Sequence, residues 1–268
     1  SGKLDILGYN IEYPKLKNDK KENIAIVNIY NENNQKLESN LNIIKNNLEI
    51  DYSYEIKELD SEKYLTSYME YLKPFKIGDI TIVPNLKDYY NDLEEPIIYI
   101  AKQYAFGSGT HETTYLALET INEYSLENDI KIKSIADIGC GSGILSLFSY
   151  KLGARNIFSA DIDSDAVNCS LDNAKYNDIN LDNVIFGSAK DLNNMNLKFD
   201  LVVANIETDI LIEIMTDLKK LLKEKSSLIL SGILLEKESY INNSIREHGL
   251  KIINRKRKND WVALLLSL

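Results

Sequence analysis

The chain is poor in the residues that staple or metallate a protein. Of its 268 residues only two are cysteine, Cys140 and Cys169, which excludes a disulfide framework. With only two histidines, His111 and His248, there is no material for a cysteine- or histidine-rich metal centre, and no bound metal is expected. Long apolar runs are missing too, and none approaches the roughly 20 residues of a membrane-spanning helix. The first residues, Ser1-Gly2-Lys3, hold no apolar leader core and give no sign of secretion, and with so few cysteines a cytoplasmic setting is the expectation. Positive charge is also short. The 31 Lys and Arg stand against 41 Asp and Glu, a formal net charge of −10, which disfavours non-specific binding to nucleic acid. What is present, 44% hydrophobic and 27% charged residues, suits a soluble globular chain, and the length fits one large domain or a standard domain with a small one.

Two regions differ in pattern. Residues 1–60 suggest a small α/β domain. Ile24–Tyr30 is a short strand, and a turn follows at Asn31, Asn33 and Asn34. Leu37, Leu41, Ile44 and Leu48 then recur at helical spacing, and residues 52–58 alternate like a strand. Residues 61–95 are expected to form a helical connector, with Tyr64, Tyr68 and Tyr71 on one face and a break at Pro74 and Gly78. From residue 96 to 268, short apolar runs alternate with amphipathic helices, the pattern of a parallel sheet covered on both faces. The expected strands are Ser134–Ile138, Asn156–Asp161, Val184–Phe186, Asp200–Asn205 and Ser227–Ser231. Helices are expected at Ile144–Leu152, Asp165–Tyr176, Thr208–Leu222 and Glu236–His248, the last stopped by Gly249. Leu250–Lys256 and Trp261–Ser267 are separated so briefly that only an antiparallel hairpin can join them.

The sharpest motif is Ala136-Asp137-Ile138-Gly139-Cys140-Gly141-Ser142-Gly143, placed where a strand ends and a helix begins. Glycines there let the backbone turn tightly and let a ligand approach it closely. The spacing is not the G-x-G-x-x-G of a pyrophosphate site, and the acidic Asp137 ahead of it suits a cationic ligand without phosphate. Asp161 ends the next strand, where a carboxylate can accept from two ribose hydroxyls, leaving Asp163 or Ser164 to cap the helix beyond. Asn205 is delivered by a buried strand to the sheet's carboxyl edge, with both an acceptor and donors to offer. Upstream, Ala105–Thr114 gathers two glycines, three threonines, Phe106 and His111, which by composition alone is a connector with helix caps.

Taken together, these segments resemble a known family. AFGSGTHETTYLALE is similar to the signature of the PrmA-type methyltransferases, which modify the eleventh protein of the large ribosomal subunit. ADIGCGSGILSLFSYKLGA, ADIDSDAVNCSLDNAKYN, VVANI and LSGIL follow in the family's order, with KPFKIGD ahead of them. The resemblance is strong from about Tyr64 to the C-terminus and weak before it. It implies a seven-stranded, doubly wound class I methyltransferase fold, mostly parallel with a C-terminal antiparallel hairpin, preceded by a small α/β substrate-recognition domain. It implies S-adenosylmethionine as methyl donor, held by Phe106, Thr110, Thr114, Asp137, Gly139, Gly141, Gly143, Asp161, Ile162, Ser188 and Asn205. The implied partner is a protein substrate, a ribosomal protein, and the chain is expected to act as a monomer. A lysine nucleophile must be neutral, at a cost of roughly 4.6 kcal/mol at pH 7. Burial beside a sulfonium lowers that cost by desolvation and like charge, so Asn205 and Thr110 suffice as catalytic residues without a strong base. His111 is given a structural part. The sequence departs from the family at Glu112, usually Pro, at Glu207-Thr208, usually a small apolar pair, and at Ser188, where relatives often carry an acid near the adenine.

Overall fold

The computed structural model describes residues 8–12, 26–30, 73–84, 93–94, 96–100, 111–127 and 132–268. The expected helices at 35–48 and 61–71 and the strand at 52–58 lie outside these, as do Phe106 and Thr110. Two compact units divide the chain, Ser1–Leu59 and Asp60–Leu268. Within the first, β1 (Gly8–Glu12) and β2 (Ile26–Tyr30) pair antiparallel, with Gly8 opposite Tyr30 and Glu12 opposite Ile26.

Among the described residues, the second unit begins with a small sheet at 75–99, where a helical connector was expected over 61–95. β3 (Phe75–Ile77) and β4 (Ile80–Val83) form a hairpin, and β5 (Ile97–Tyr99) lies parallel to β4. Gly78 makes the tight turn between the first two with φ 56°. The β-branched Ile82, Val83 and Ile98 are fully enclosed, which decides for strand over helix here.

The main sheet has seven strands. They are β6 (Ser134–Ile138), β7 (Asn156–Asp161), β8 (Asn183–Phe186), β9 (Phe199–Asn205), β10 (Leu222–Leu234), β11 (Lys251–Lys258) and β12 (Trp261–Ser267), in the spatial order β11-β12-β10-β9-β6-β7-β8. The five from β10 to β8 are parallel, while β12 runs antiparallel to both β10 and β11, as the resemblance implied. The hairpin turns at Asn259 and Asp260, with Asn259 left-handed at φ 53°. β12 therefore sits between β10 and β11, inside the sheet, although it comes last in the chain.

Both faces of this sheet are covered, so its central strands are enclosed on successive residues rather than on alternate ones. On one face Ile135, Leu201, Val203 and Ile229 meet α1 (Glu112–Glu127) and α2 (Ile144–Lys151) through Leu118, Ile121, Leu147 and Phe148. The small sheet joins this core through Ile80, Ile82 and Ile98, and α3 (Ser164–Tyr176) contributes Ala174. On the other face Ala136, Val202, Leu228 and Leu264 pack with α4 (Ala189–Asn194), α5 (Thr208–Lys220) and α6 (Glu238–Glu247) through Leu192, Leu211, Met215, Leu218 and Ile241. Helix α1 is fastened to the hairpin from outside. Lys256 meets Glu119 at 3.0 Å and Glu123 at 2.5 Å, and the Lys258 ammonium lies 3.6 Å over the Tyr115 ring. Among the described residues, no helix is long and apolar enough to cross a membrane.

The strand order fixes where a ligand can bind. From β6 the chain winds outward through β7 to β8, then returns to place β9 and β10 on the opposite side of β6. The crevice where the winding reverses, at the carboxyl ends of β6 and β9, is the position at which open α/β sheets take their ligands.

Candidate functional site

The glycine motif leaves β6 at this reversal. Gly139, Gly141 and Gly143 take φ of 71°, 53° and 79°, a left-handed backbone that only glycine adopts without strain. A Cβ on Gly139 would stand 2.8 Å from Ile206, and one on Gly143 would stand 2.4 Å from the Ser170 hydroxyl. The Gly139 amide donates to the Ala160 carbonyl of β7 at 2.8 Å, and Gly143 starts α2. Cys140 in the same loop is buried, and desolvation pushes its thiol well above the usual range, so it is no nucleophile.

Asp137 lies beneath this loop rather than in its mouth, fully enclosed. Its Oδ2 accepts from the Ser146 hydroxyl of α2 at 2.7 Å, and that hydroxyl also meets Ser159 at 2.7 Å. Oδ1 has no partner. Burial pushes the carboxyl up to about 6, against the pull of the Ser146 bond and with a further push from the Asp161 charge. The expected direct contact of Asp137 with the cofactor does not match this enclosure, which gives it a supporting place instead.

Asp161 bridges two elements at the tip of β7. Its Oδ2 accepts from the Gly141 amide of the loop at 2.9 Å, and its Oδ1 accepts from the Asp163 amide at 3.0 Å. Asp163, not Asp161, caps α3, its carboxylate accepting from the Asp165 amide at 2.9 Å. Beside this carboxylate the apolar Ile162 is 75% exposed, and Phe186 at the end of β8 is 69% exposed. Large apolar side chains so open at a sheet's carboxyl edge offer faces for a planar ring. Phe186 was missing from the expected site, although its position as the last residue of an apolar strand was visible. Ser188 caps α4 and donates its hydroxyl to Asp191 at 2.8 Å, so a carboxylate stands three residues beyond it.

On the other side of the reversal, Asn205 ends β9 and donates Nδ2 to the Thr114 hydroxyl at 3.3 Å. That bond turns its carbonyl oxygen away from Thr114. The neighbouring Ser231 of β10 donates to the Thr113 carbonyl at 2.8 Å, so the start of α1 is tied to the edges of both strands. The close approach of β10 to the exit of β9 needs Gly232, since a Cβ there would stand 2.3 Å from the Ile206 carbonyl oxygen. Thr208, one of the departures from the family, is buried and accepts from the Leu234 amide at 3.1 Å, while Glu207 stays exposed. His111 faces Trp261 edge-on at 5.2 Å, with Nδ1 2.9 Å from the Thr113 hydroxyl, and burial lowers its pKa. This is a helix-start residue packed on the hairpin.

The described part of the site is therefore a backbone cradle that side chains would fill, a carboxylate at its rim, two open apolar faces and an amide across the crevice. Nothing in it demands phosphate or metal. Among the described residues, no cluster of three or more His, Cys, Asp and Glu could hold a metal ion. S-adenosylmethionine, with vicinal hydroxyls, a purine and positive charge, fits these groups. The family described as ribosomal protein L11 methyltransferase (PrmA) matches residues 7–267. The chain belongs to that family. It is 34% identical over 215 residues to the ribosomal protein L11 methyltransferase of Caldicellulosiruptor saccharolyticus, covering 79% of this chain and 68% of that one. Its counterpart in Caldanaerobacter subterraneus is 36% identical over 214 residues, covering 79% and 67%. Among solved structures, the ribosomal protein L11 methylase of Lactobacillus delbrueckii superposes with a TM-score of 0.64 at 31% identity, covering 72% of this chain and 97% of that one.

Proposed function

We propose that this protein transfers methyl groups from S-adenosylmethionine to amine nitrogen, a lysine side chain or an α-amine, of ribosomal protein L11. The observation that carries the reading is Asp161, whose carboxylate braces the glycine loop while standing at the rim of the crevice. S-adenosylmethionine supplies an electrophilic methyl group on a sulfonium. The protein's own contribution is to hold and align. Asp161 accepts from the ribose hydroxyls, the loop of Gly139, Gly141 and Gly143 lets the backbone lie against the ligand, and Ile162 and Phe186 flank the base. Thr114 is held against Asn205, whose carbonyl oxygen accepts an N–H of the incoming amine and points its lone pair toward the crevice. Phe106 and Thr110, in the stretch that carries the family's signature, are assigned to cofactor contact on that resemblance. No strong base is required, because burial beside positive charge favours the neutral amine. The chain is proposed to act in the cytoplasm and as a monomer, and its acidic balance supports a reading without direct contact to nucleic acid.

The test is incubation of the purified protein with methyl-labelled S-adenosylmethionine and purified ribosomal protein L11, followed by mass spectrometry of its peptides. Added methyl groups on lysine or the N-terminal amine are expected. Cofactor binding without label on L11, but with label on another protein of a lysate, would redirect the proposal to that substrate.

A further inference from the structure

Asn173 and Asn177 stand one turn apart on α3 and at its C-terminal cap, and both spend their side-chain amides on the backbone of other elements. Asn173 donates Nδ2 to the Ser142 carbonyl, within the glycine loop, at 2.9 Å. Asn177 accepts the Tyr99 amide on Oδ1 at 2.8 Å and returns Nδ2 to the Tyr99 carbonyl at 2.7 Å, closing a two-bond ring on the last residue of β5. The same Nδ2 lies 2.8 Å from the Asn173 carbonyl, which joins the two residues into one chain of bonds. Asn173 is fully buried and Asn177 is 9% exposed. Capping alone does not need this arrangement, because the backbone amide of Asn177 already closes α3 on Ala174 and Asn173.

The geometry points to Asn173 and Asn177 as positioning residues of the methyl-transfer site, setting the glycine loop and the end of β5 in one fixed relation through α3. The end of β5 matters because α1 is the next described element in the chain, and its start is tied to Ser231 and Asn205. The cofactor crevice is thereby framed by two fastenings: α3 holds the loop and the departing strand, and the β9–β10 edge holds the returning helix. Neither asparagine touches a reacting atom. Their effect is exerted through the backbone of Ser142 and Tyr99. This inference rests on the proposed function for the ligand whose binding reads the alignment.

The experiment is a double-mutant cycle on the full chain, with the dissociation constant of S-adenosylmethionine measured by calorimetry. Asn173→Ala and Asn177→Ala should each weaken binding about tenfold, the loss of one or two buried bonds seen through the site. The double variant should also lose about tenfold rather than a hundredfold, because both act through one alignment. Ser134→Ala serves as the control. Ser134 hydrogen-bonds Asp200 and Lys223 at the opposite end of β6, so its loss lowers thermal stability without moving the constant. If Asn177→Ala fails to fold, Asn177→Asp replaces it in the cycle, since it keeps the acceptor for the Tyr99 amide and loses only the donors. An Asn177 variant that melts earlier, as the control does, yet binds cofactor like the wild type overturns the inference, and so does a double variant with multiplied losses. Wild-type protein that binds the cofactor but leaves L11 unmodified removes the proposed substrate and not this inference. Wild-type protein that does not bind the cofactor removes both.

Discussion

The Asp137 carboxyl is sealed under the glycine loop with one oxygen bonded to Ser146 and the other unpartnered, and burial moves its pKa from 3.8 up to about 6. In that window the folded chain holds a proton that the unfolded chain releases. Stability from this group is therefore complete below pH 3.8 and is lost as pH rises through 6. The gap of about two pH units corresponds to ~3 kcal/mol lost above pH 6, of which about half is already lost at pH 5. Asp137→Asn removes the charge but leaves amide hydrogens unpaired beside the old Oδ1 position, at a cost of ~1–3 kcal/mol that does not vary with pH. The variant should therefore gain ~1.5 kcal/mol on the wild type between pH 5 and pH 8. Urea unfolding followed by the fluorescence of Trp261, the one tryptophan, reports on the unit that holds Asp137. Midpoints and slopes at pH 5, 6.5 and 8 give the difference directly. A wild-type-minus-variant difference constant to within ~0.5 kcal/mol across that range would show that Asp137 is not held as a sealed, partly protonated acid.

Other substitutions probe other parts of the site. Asp161→Ala removes the acceptor for two ribose hydroxyls at ~1.5–3 kcal/mol each, so calorimetry should show cofactor affinity falling at least about tenfold. An unchanged constant would leave Asp161 as a brace for Gly141 alone. Gly232→Ala forces a Cβ to 2.3 Å from the Ile206 carbonyl at a φ of 83°, and should lower unfolding stability by ~2–4 kcal/mol in the same urea assay. Stability within ~0.5 kcal/mol of wild type would mean that β10 shifts freely there. Lys256→Ala strands Glu119 and Glu123 as a like-charge pair on α1 and should cost about 1 kcal/mol at low salt and less at high salt. Equal effects at both ionic strengths would point to lost side-chain packing instead. Removal of residues 1–59, a separate compact unit, should keep cofactor affinity within about threefold while methylation of L11 collapses. Full-rate methylation by the truncated chain would end the recognition role of that unit.

The sheet was legible because parallel strands covered on both faces have apolar residues in unbroken runs. Ser134–Ile138 and Asn156–Asp161 were read with the bounds they take in the fold. Ser227–Ser231 is only the middle of β10, because the charged Lys223–Lys225 and the glycine at 232 hide its ends from an apolar pattern. Strands as short as Phe75–Ile77 and Ile97–Tyr99 carry too few residues to show a period, which is why the small sheet went unseen. At the site, spacing along the chain located the glycine loop, Asp161 and Asn205. It could not tell that Asp137 faces Ser146 across β6 and α2, since the side a residue takes follows from packing. Nor could it find Asn177, whose partner Tyr99 lies 78 positions away. Polar groups that bond across such distances leave no periodic trace.

The β11–β12 hairpin bears on how the protein is made. Among the described strands β11 pairs only with β12, and β12 covers the edge of β10. A nascent chain emerging from its N-terminal side therefore offers β10 as an open edge, and β11 as an unpartnered one, until Trp261–Ser267 have been synthesised. Val262, Leu264 and Leu266, enclosed in the finished sheet, belong to that last segment. A translation stop before Trp261 would leave two adhesive edges and an uncovered apolar face, so the product would go to aggregation or proteolysis rather than persist as a weakened enzyme.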